Sequence, residues 1–181
     1  TLGGVSRLIR LSGDGQSGPV DSLLPAPLEV LALDAAGDPI PGQSVQFHVA
    51  RGSGSLSLPG APANFPDGVN PARTLTVTTD GSGRAAVSAM LGQEAGPGAH
   101  QVVATSPTTP GQVMFSADAS PLAARDVLAD GLPSSQFVAA GSSTIEPLTA
   151  TVVDTHHNRI PDVALEYRIR SGQARILVAP D

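Results

Sequence analysis

The sequence predicts an all-β protein built of antiparallel two-sheet sandwiches in tandem, the second of them incomplete. Three observations carry that reading. The 181 residues include 20 Gly and 17 Pro, spread so that no long helix fits between them. Apolar residues make up 40% and charged residues only 14%, a balance that favours a buried core over disorder. Finally, the sequence matches itself at an offset of 120 positions, and a repeat sets domain organisation before any local reading does.

The repeat runs without a gap. Pro27-Leu28-Glu29-Val30-Leu31-Ala32-Leu33-Asp34 falls on Pro147-Leu148-Thr149-Ala150-Thr151-Val152-Val153-Asp154. Ile40-Pro41 then meets Ile160-Pro161, and Val45, Phe47 and Val49 meet Leu165, Tyr167 and Ile169. Gly52 meets Gly172, and Leu56 meets Ile176. Two copies resolve what one leaves open. Residues 28–33 are apolar on both faces, but Thr149 and Thr151 stand at the sites of Glu29 and Leu31. The inward set is therefore Leu28, Val30 and Ala32, with Leu148, Ala150 and Val152 in the second copy.

Taken in order, residues 6–11 form a first strand and 28–33 a second. Residues 34–42 are a Gly- and Pro-rich loop, followed by a third strand in which Val45, Phe47 and Val49 alternate with Gln46 and His48. In the second copy Leu165, Tyr167 and Ile169 alternate in the same way with Glu166, Arg168 and Arg170, which predicts a core position for the only Tyr. Pro59 to Pro71 reads as an irregular crossover. Leu75 and Val77 point inward from the strand 73–78, and Asp80-Gly81-Ser82-Gly83 is a hairpin signal leading to a strand with Ala85, Val87 and Ala89 inward. Residues 101–105 and 112–117 close the series around Pro107 and Pro110. Seven or eight short strands in roughly 115 residues are the mark of a two-sheet sandwich. The organisation that follows is residues 1–119 as one sandwich, 120–127 as linker, and 128–181 as the N-terminal part of a second. The second copy has no match to anything beyond the site of Leu56, so it is expected to leave two open strand edges. Completion is expected from chain continuing past Asp181 or from strands of another chain.

Leu28-Glu-Val-Leu-Ala-Leu-Asp34, Gly37-Asp-Pro-Ile-Pro-Gly42, Val45-Gln-Phe47 and Thr79-Asp-Gly-Ser-Gly-Arg-Ala85 together resemble the bacterial immunoglobulin-like repeats of the invasin and intimin group. The similarity covers most of the first copy and Pro147 to Ile176 in the second, where His157-Asn-Arg-Ile-Pro-Asp162 departs from the pattern by lacking both glycines. The resemblance implies tandem immunoglobulin-like modules of large exported or cell-surface bacterial proteins, acting as non-catalytic spacers whose partners are neighbouring modules. An alternative is an adhesion module that binds a host or cell-surface partner through its loops.

The residues themselves argue against other classes. All ten cationic side chains are Arg, sixteen carboxylates leave a net charge of −6, and no basic cluster exists to hold nucleic acid. No apolar run is long enough for a helix to span a bilayer. The chain begins Thr1-Leu-Gly-Gly without a signal-type segment and reads as internal to a longer protein. With no Cys there is no thiolate ligand, nucleophile or disulfide.

Gly13-Asp-Gly-Gln-Ser-Gly18 fits G-x-G-x-x-G, yet Pro19 to Pro25 follows where a phosphate site needs a helix N-terminus, so it reads as a turn. No G-x-S-x-G elbow accompanies the Ser residues, and His48 and His100 are expected on the surface rather than as general bases. Asp154, His156 and His157 form the densest metal-capable cluster, for which a surface loop is the expected role. Asp118, Asp126 and Asp130 flank the module junction in a spacing that matches no calcium loop. Phe65 and Phe137 remain as aromatic side chains outside the core pattern, too few for a sugar-stacking platform. Neither catalytic residue, cofactor nor metal ligand is assigned.

Overall fold

The computed structural model describes residues 5–61, 72–130, 139–142, 147–173 and 175–176. Among them every regular element is a strand. The chain divides into two units, Thr1–Leu122 and Ala123–Asp181.

In the first unit, β1 (Arg7–Ser12), β2 (Gln16–Pro19), β3 (Leu28–Leu33), β4 (Ser44–Arg51), β5 (Ser55–Ser57), β6 (Thr74–Thr78), β7 (Arg84–Met90), β8 (Gly96–Ser106) and β9 (Thr109–Ser120) make two sheets. One has the order β1-β3-β7-β5 and the other β2-β9-β8-β4-β6. Alternation decides what lies between them. Leu28, Val30 and Ala32 with Ala85, Val87 and Ala89 face Val45, Phe47 and Val49 with Val102, Ala104, Val113, Phe115 and Ala117, all buried in one cluster. Leu75 and Val77 pack half-buried against it. Each fully buried Val, Leu or Phe removes enough apolar surface to contribute about 1.5–3 kcal/mol, set against the entropy of ordering the chain.

Three features differ from the sequence reading. Asp80 to Gly83 is not a hairpin turn: β6 pairs with β4 and β7 with β3, so the turn passes from one sheet to the other. Its shape is set locally and by contact. Asp80 Oδ1 accepts the backbone N–H groups of Ser82 and Arg84, and Gly83 sits at φ +75° where a Cβ would lie 2.9 Å from the Ile40 nitrogen. Second, the last two strands extend well beyond residues 101–105 and 112–117, because β8 and β9 form one long hairpin. Third, β2 is a strand where only a turn was expected, and it pairs parallel with β9, the one parallel ladder among the described pairs.

The second unit contains β10 (Asp126–Ala129) and β11 (Ala150–Val153), paired antiparallel. β10 starts inside the stretch read as linker. The pair repeats β3 and β1 closely: the Ser6 N–H donates to the Leu33 carbonyl at 2.8 Å, and the Arg125 N–H to the Val153 carbonyl at 2.9 Å. The turn after it repeats as well. Asp34 N–H to Asp38 O, Gly37 N–H to Asp34 O and Ile40 N–H to Ala32 O recur as Asp154 to Asn158, His157 to Asp154 and Ile160 to Val152, at matching lengths of 2.9–3.2 Å. The two lost glycines therefore do not change the turn. His157 adopts φ +63° where Gly37 has +94°, and Asp162 adopts +59° where Gly42 has +71°. His and Asp are among the side chains that tolerate this left-handed region.

Past that turn the two copies part. Residues 165–169 are not a strand, and Leu165, Tyr167 and Ile169 are exposed rather than core, Tyr167 at 44% against 0% for Phe47. Leu148, expected inward, is 63% exposed; Ala150 is half-buried and Val152 buried. The cause is the neighbourhood. β4 is held between β8 and β6, whereas among the described residues of 123–181 the only strands are β10 and β11, and neither pairs with residues 165–169.

Candidate functional site

The Gly13–Gly18 segment is tied down from both sides. Gly13 has φ +92°, and a Cβ there would lie 2.3 Å from the Pro27 carbonyl oxygen, so the glycine lets two backbone segments touch. The Gln16 amide donates to the Gly13 and Ala26 carbonyls and accepts the Ala26 N–H. Asp14 accepts the Ser116 N–H at 2.9 Å and pairs with Arg10, whose guanidinium also donates to the Met114 carbonyl. These glycines and polar groups fasten β2 between the β3 entry and β9. Their N–H groups converge on carbonyls, not on an anion site, and β2 follows where a helix would be required.

His48 lies half-buried on the outward side of β4, opposite Val103. His100 corrects the expectation of a surface residue: it is 5% exposed. Its Nδ1 accepts the Gly92 N–H at 3.5 Å and its Nε2–H donates to the Glu94 carbonyl at 3.0 Å. Space for the imidazole comes from Gly52, where a Cβ would sit 2.3 Å from Nδ1. The signal was present in the sequence, since period two from Ala104 and Val102 places His100 on the inward face. Around it Glu94 accepts the Ser53 N–H and hydroxyl, and Arg73 donates to the Gly52 carbonyl. This is a polar plug at one end of the core, in which the Ser53 hydroxyl is taken up by the Glu94 carboxylate rather than by the imidazole.

Two carboxyls in this unit are held below their ordinary values. At Asp80 the N–H groups of Arg84 and Ser82 stabilise the anion, and the Arg84 charge adds to them against a small opposing effect of burial. At Glu94 burial pushes the carboxyl up, but the Ser53 hydroxyl and N–H, its own N–H and His100 outweigh it. A carboxyl lowered in the folded state stabilises the fold above its unfolded value, and that contribution disappears as pH falls through the folded value. The urea midpoint of the first unit is therefore expected to hold from neutral pH down to about 4.5 and to fall below it. A midpoint unchanged down to about pH 3 contradicts this assignment of the two carboxyls.

Asp154 is fully buried, and its role is structural. Oδ1 accepts the His156 and Asn158 N–H groups and Oδ2 the Asn158 amide, as Asp34 Oδ1 accepts those of Ala36, Gly37 and Asp38. The carboxylate caps the turn, which accounts for its place beside the two histidines. Asp118 accepts the Gly98 N–H within the first unit. In the second, Asp126 lies 3.8 Å from the Arg125 guanidinium and Asp130 accepts the Thr151 hydroxyl. Each of the three has its own partner. Among the described residues no three His, Asp or Glu side chains come together as metal ligands, and no helix is long and apolar enough to cross a membrane. Phe65 and Phe137 lie outside the described residues.

No family model matches the chain, and no curated protein matches its sequence. Among solved structures it is similar to domains 4 and 5 of the S-layer protein SbsC, with 12% identity and a TM-score of 0.42 over 66% of this chain and 53% of that one. It is also similar to domains 4–9 of the surface layer protein SbsC, with 12% identity and a TM-score of 0.43 over 88% of this chain and 21% of that one. The chain thus spans about half the length of the first structure and a fifth of the second.

Proposed function

We propose that this chain is a non-catalytic connecting segment of a large exported or cell-surface bacterial protein, in which immunoglobulin-like modules follow one another and hold other domains apart. Its direct partners are further modules of the same kind. The observation that carries the reading is the parallel pairing of β2 with β9. β2 lies near the start of the first unit, and β9 is the strand that leads out of it. Tension applied to the two ends of the unit pulls these strands along their axes in opposite directions, so their cross-links are loaded together rather than one after another. Those links are the Gly15 N–H to Ser116 O, the Val20 N–H to Ser120 O, the Ser120 hydroxyl to Gly18 O and the Ser116 N–H to Asp14. Such a pair suits a module that transmits force along a chain. The repeated strand–turn frame and the sequence resemblance support the same role.

Stretching the whole chain by its ends in a single-molecule experiment tests this. The first unit is expected to resist and then open in one step, releasing roughly 35–40 nm of chain. Gradual lengthening without a discrete step overturns the proposal.

A further inference from the structure

We propose that His100 is a positioning residue for the β2–β9 pair: its buried ring pins the connection between β7 and β8, residues 91–95, and that connection ties down the end of β2. The proposal rests on the reading of β2 and β9 as the pair that carries tension, and it gives a task to a buried polar side chain at one end of the core.

β2 is held beyond its own ladder. After Val20 the chain leaves β9 and runs beside the end of β7 in the other sheet. The Asp21 N–H donates to the Gly92 carbonyl at 3.1 Å, the Leu91 N–H to the Ser22 carbonyl at 2.8 Å and the Leu24 N–H to the Ala89 carbonyl at 2.9 Å. The start of β8 reaches β9 as well, because the Gly98 N–H donates to Asp118 Oδ1 at 2.7 Å and Gly96 pairs with Ala119. A pull that slides β2 past β9 drags residues 20–22 with it and so loads the links to Leu91 and Gly92.

Those links hold only while residues 91–95 stay where they are. The connection belongs to neither strand, so its backbone groups need partners from elsewhere. His100 supplies two, one on each ring nitrogen, at the Gly92 N–H and the Glu94 carbonyl. Gly92 is thus held by the ring through its N–H and holds Asp21 through its carbonyl. It is also buried and closely seated, since a Cβ there would lie 2.7 Å from the Gly54 nitrogen. Without the imidazole the Gly92 N–H is left buried and unpaired, a cost relieved by moving the connection out to water. That movement gives up the Asp21 and Ser22 bonds. The Ser53–Glu94 link lies on the exposed side of the plug, where water replaces it at little cost.

Native-state amide hydrogen exchange on the whole chain tests this. In the unaltered protein one opening frees the Asp21, Leu91 and Gly92 amides, so their protection factors are expected to agree within about five-fold. His100→Leu fills the space but offers neither partner, and it is expected to speed exchange at Asp21 and Leu91 by about ten-fold or more relative to Ala32, whose N–H belongs to the β3–β7 ladder. His100→Gln, whose amide accepts one hydrogen bond and donates another as the ring does, is expected to restore most of the protection. Equal acceleration at Asp21 and Ala32 in His100→Leu overturns the proposal, because it marks a general loss of stability. Loss of protection in His100→Gln as great as in His100→Leu overturns it too. Should His100→Leu not fold, the unaltered protein still decides: protection factors spread by more than about five-fold overturn the common opening. None of these measurements applies tension. A chain that lengthens without a discrete step overturns the force-bearing role and leaves the pin, whereas the exchange failures overturn the pin alone.

Discussion

Phe47→Ala is expected to lower the stability of the first unit by about 3–5 kcal/mol, the range for truncating a buried Phe when the cavity collapses only partly. Phe47 is fully buried in the middle of β4, between Leu75 on β6 and Ala104 on β8, with its ring 6.5 Å from that of Phe115. These two rings are the largest fully buried side chains, and Ala104, beside Phe47 on β8, cannot expand into the gap. A domain of this size has a total stability of about 5–15 kcal/mol, so the urea midpoint should drop steeply while its slope stays the same. The repeat supplies a control. Tyr167 holds the same place in the second copy but is exposed, and Tyr167→Ala is expected to change stability by less than about 0.5 kcal/mol. Equal losses for the two substitutions would falsify the contrast between the copies.

Gly13→Val is expected to cost more than about 3 kcal/mol, and Gly15→Val only about 1–2 kcal/mol. Both glycines have positive φ, at +92° and +67°, so both substitutions carry the strain of a left-handed residue with a Cβ. Only Gly13 adds a collision, with the Pro27 carbonyl oxygen at 2.3 Å and the Leu28 Cα at 2.8 Å, whereas nothing lies within 4 Å of a Cβ at Gly15. Relief requires the entry of β3 to move, which shifts Leu28 out of the core. Thermal melting of the two variants side by side separates strain from contact. A Gly13→Val melting point no lower than that of Gly15→Val removes the packing explanation for this glycine.

Much of the first unit was legible because its code is local. Alternation in Val45, Phe47 and Val49 names the inward face of β4 whatever lies opposite. The loop at 34–42 is marked by its Gly and Pro residues, which set turn dihedrals or cannot donate to a ladder. The 120-residue offset likewise reads directly from residue identity, and the recurrence of the same turn hydrogen bonds at Asp154 is its structural counterpart. Short elements escaped the reading for a physical reason. β2 and β5 are four and three residues long and carry Gly, Pro and Ser, so they lack both propensity and a full period; pairing to β9 and β7 makes them strands. The Asp80 turn was misassigned because its dihedrals serve a hairpin and a sheet crossing equally well. The burial of His100 is set by a residue nearly fifty positions away in sequence, Gly52, where a Cβ would lie 2.3 Å from Nδ1.

The sequence by itself determined the all-β class, the repeat, the loop at 34–42, and which face of β3, β4 and β7 is apolar. These follow from dihedral preference and side-chain alternation, which a short segment owns. The tertiary structure alone decided which sheet each strand joins, that β2 runs parallel to β9, and that one alternating segment becomes the buried β4 while its repeat at 165–169 stays exposed. Burial is not a property of a segment. Val45, Phe47 and Val49 are core because β6, β8 and the opposite sheet exclude water from them, and Leu165, Tyr167 and Ile169 have no such neighbours among the described residues.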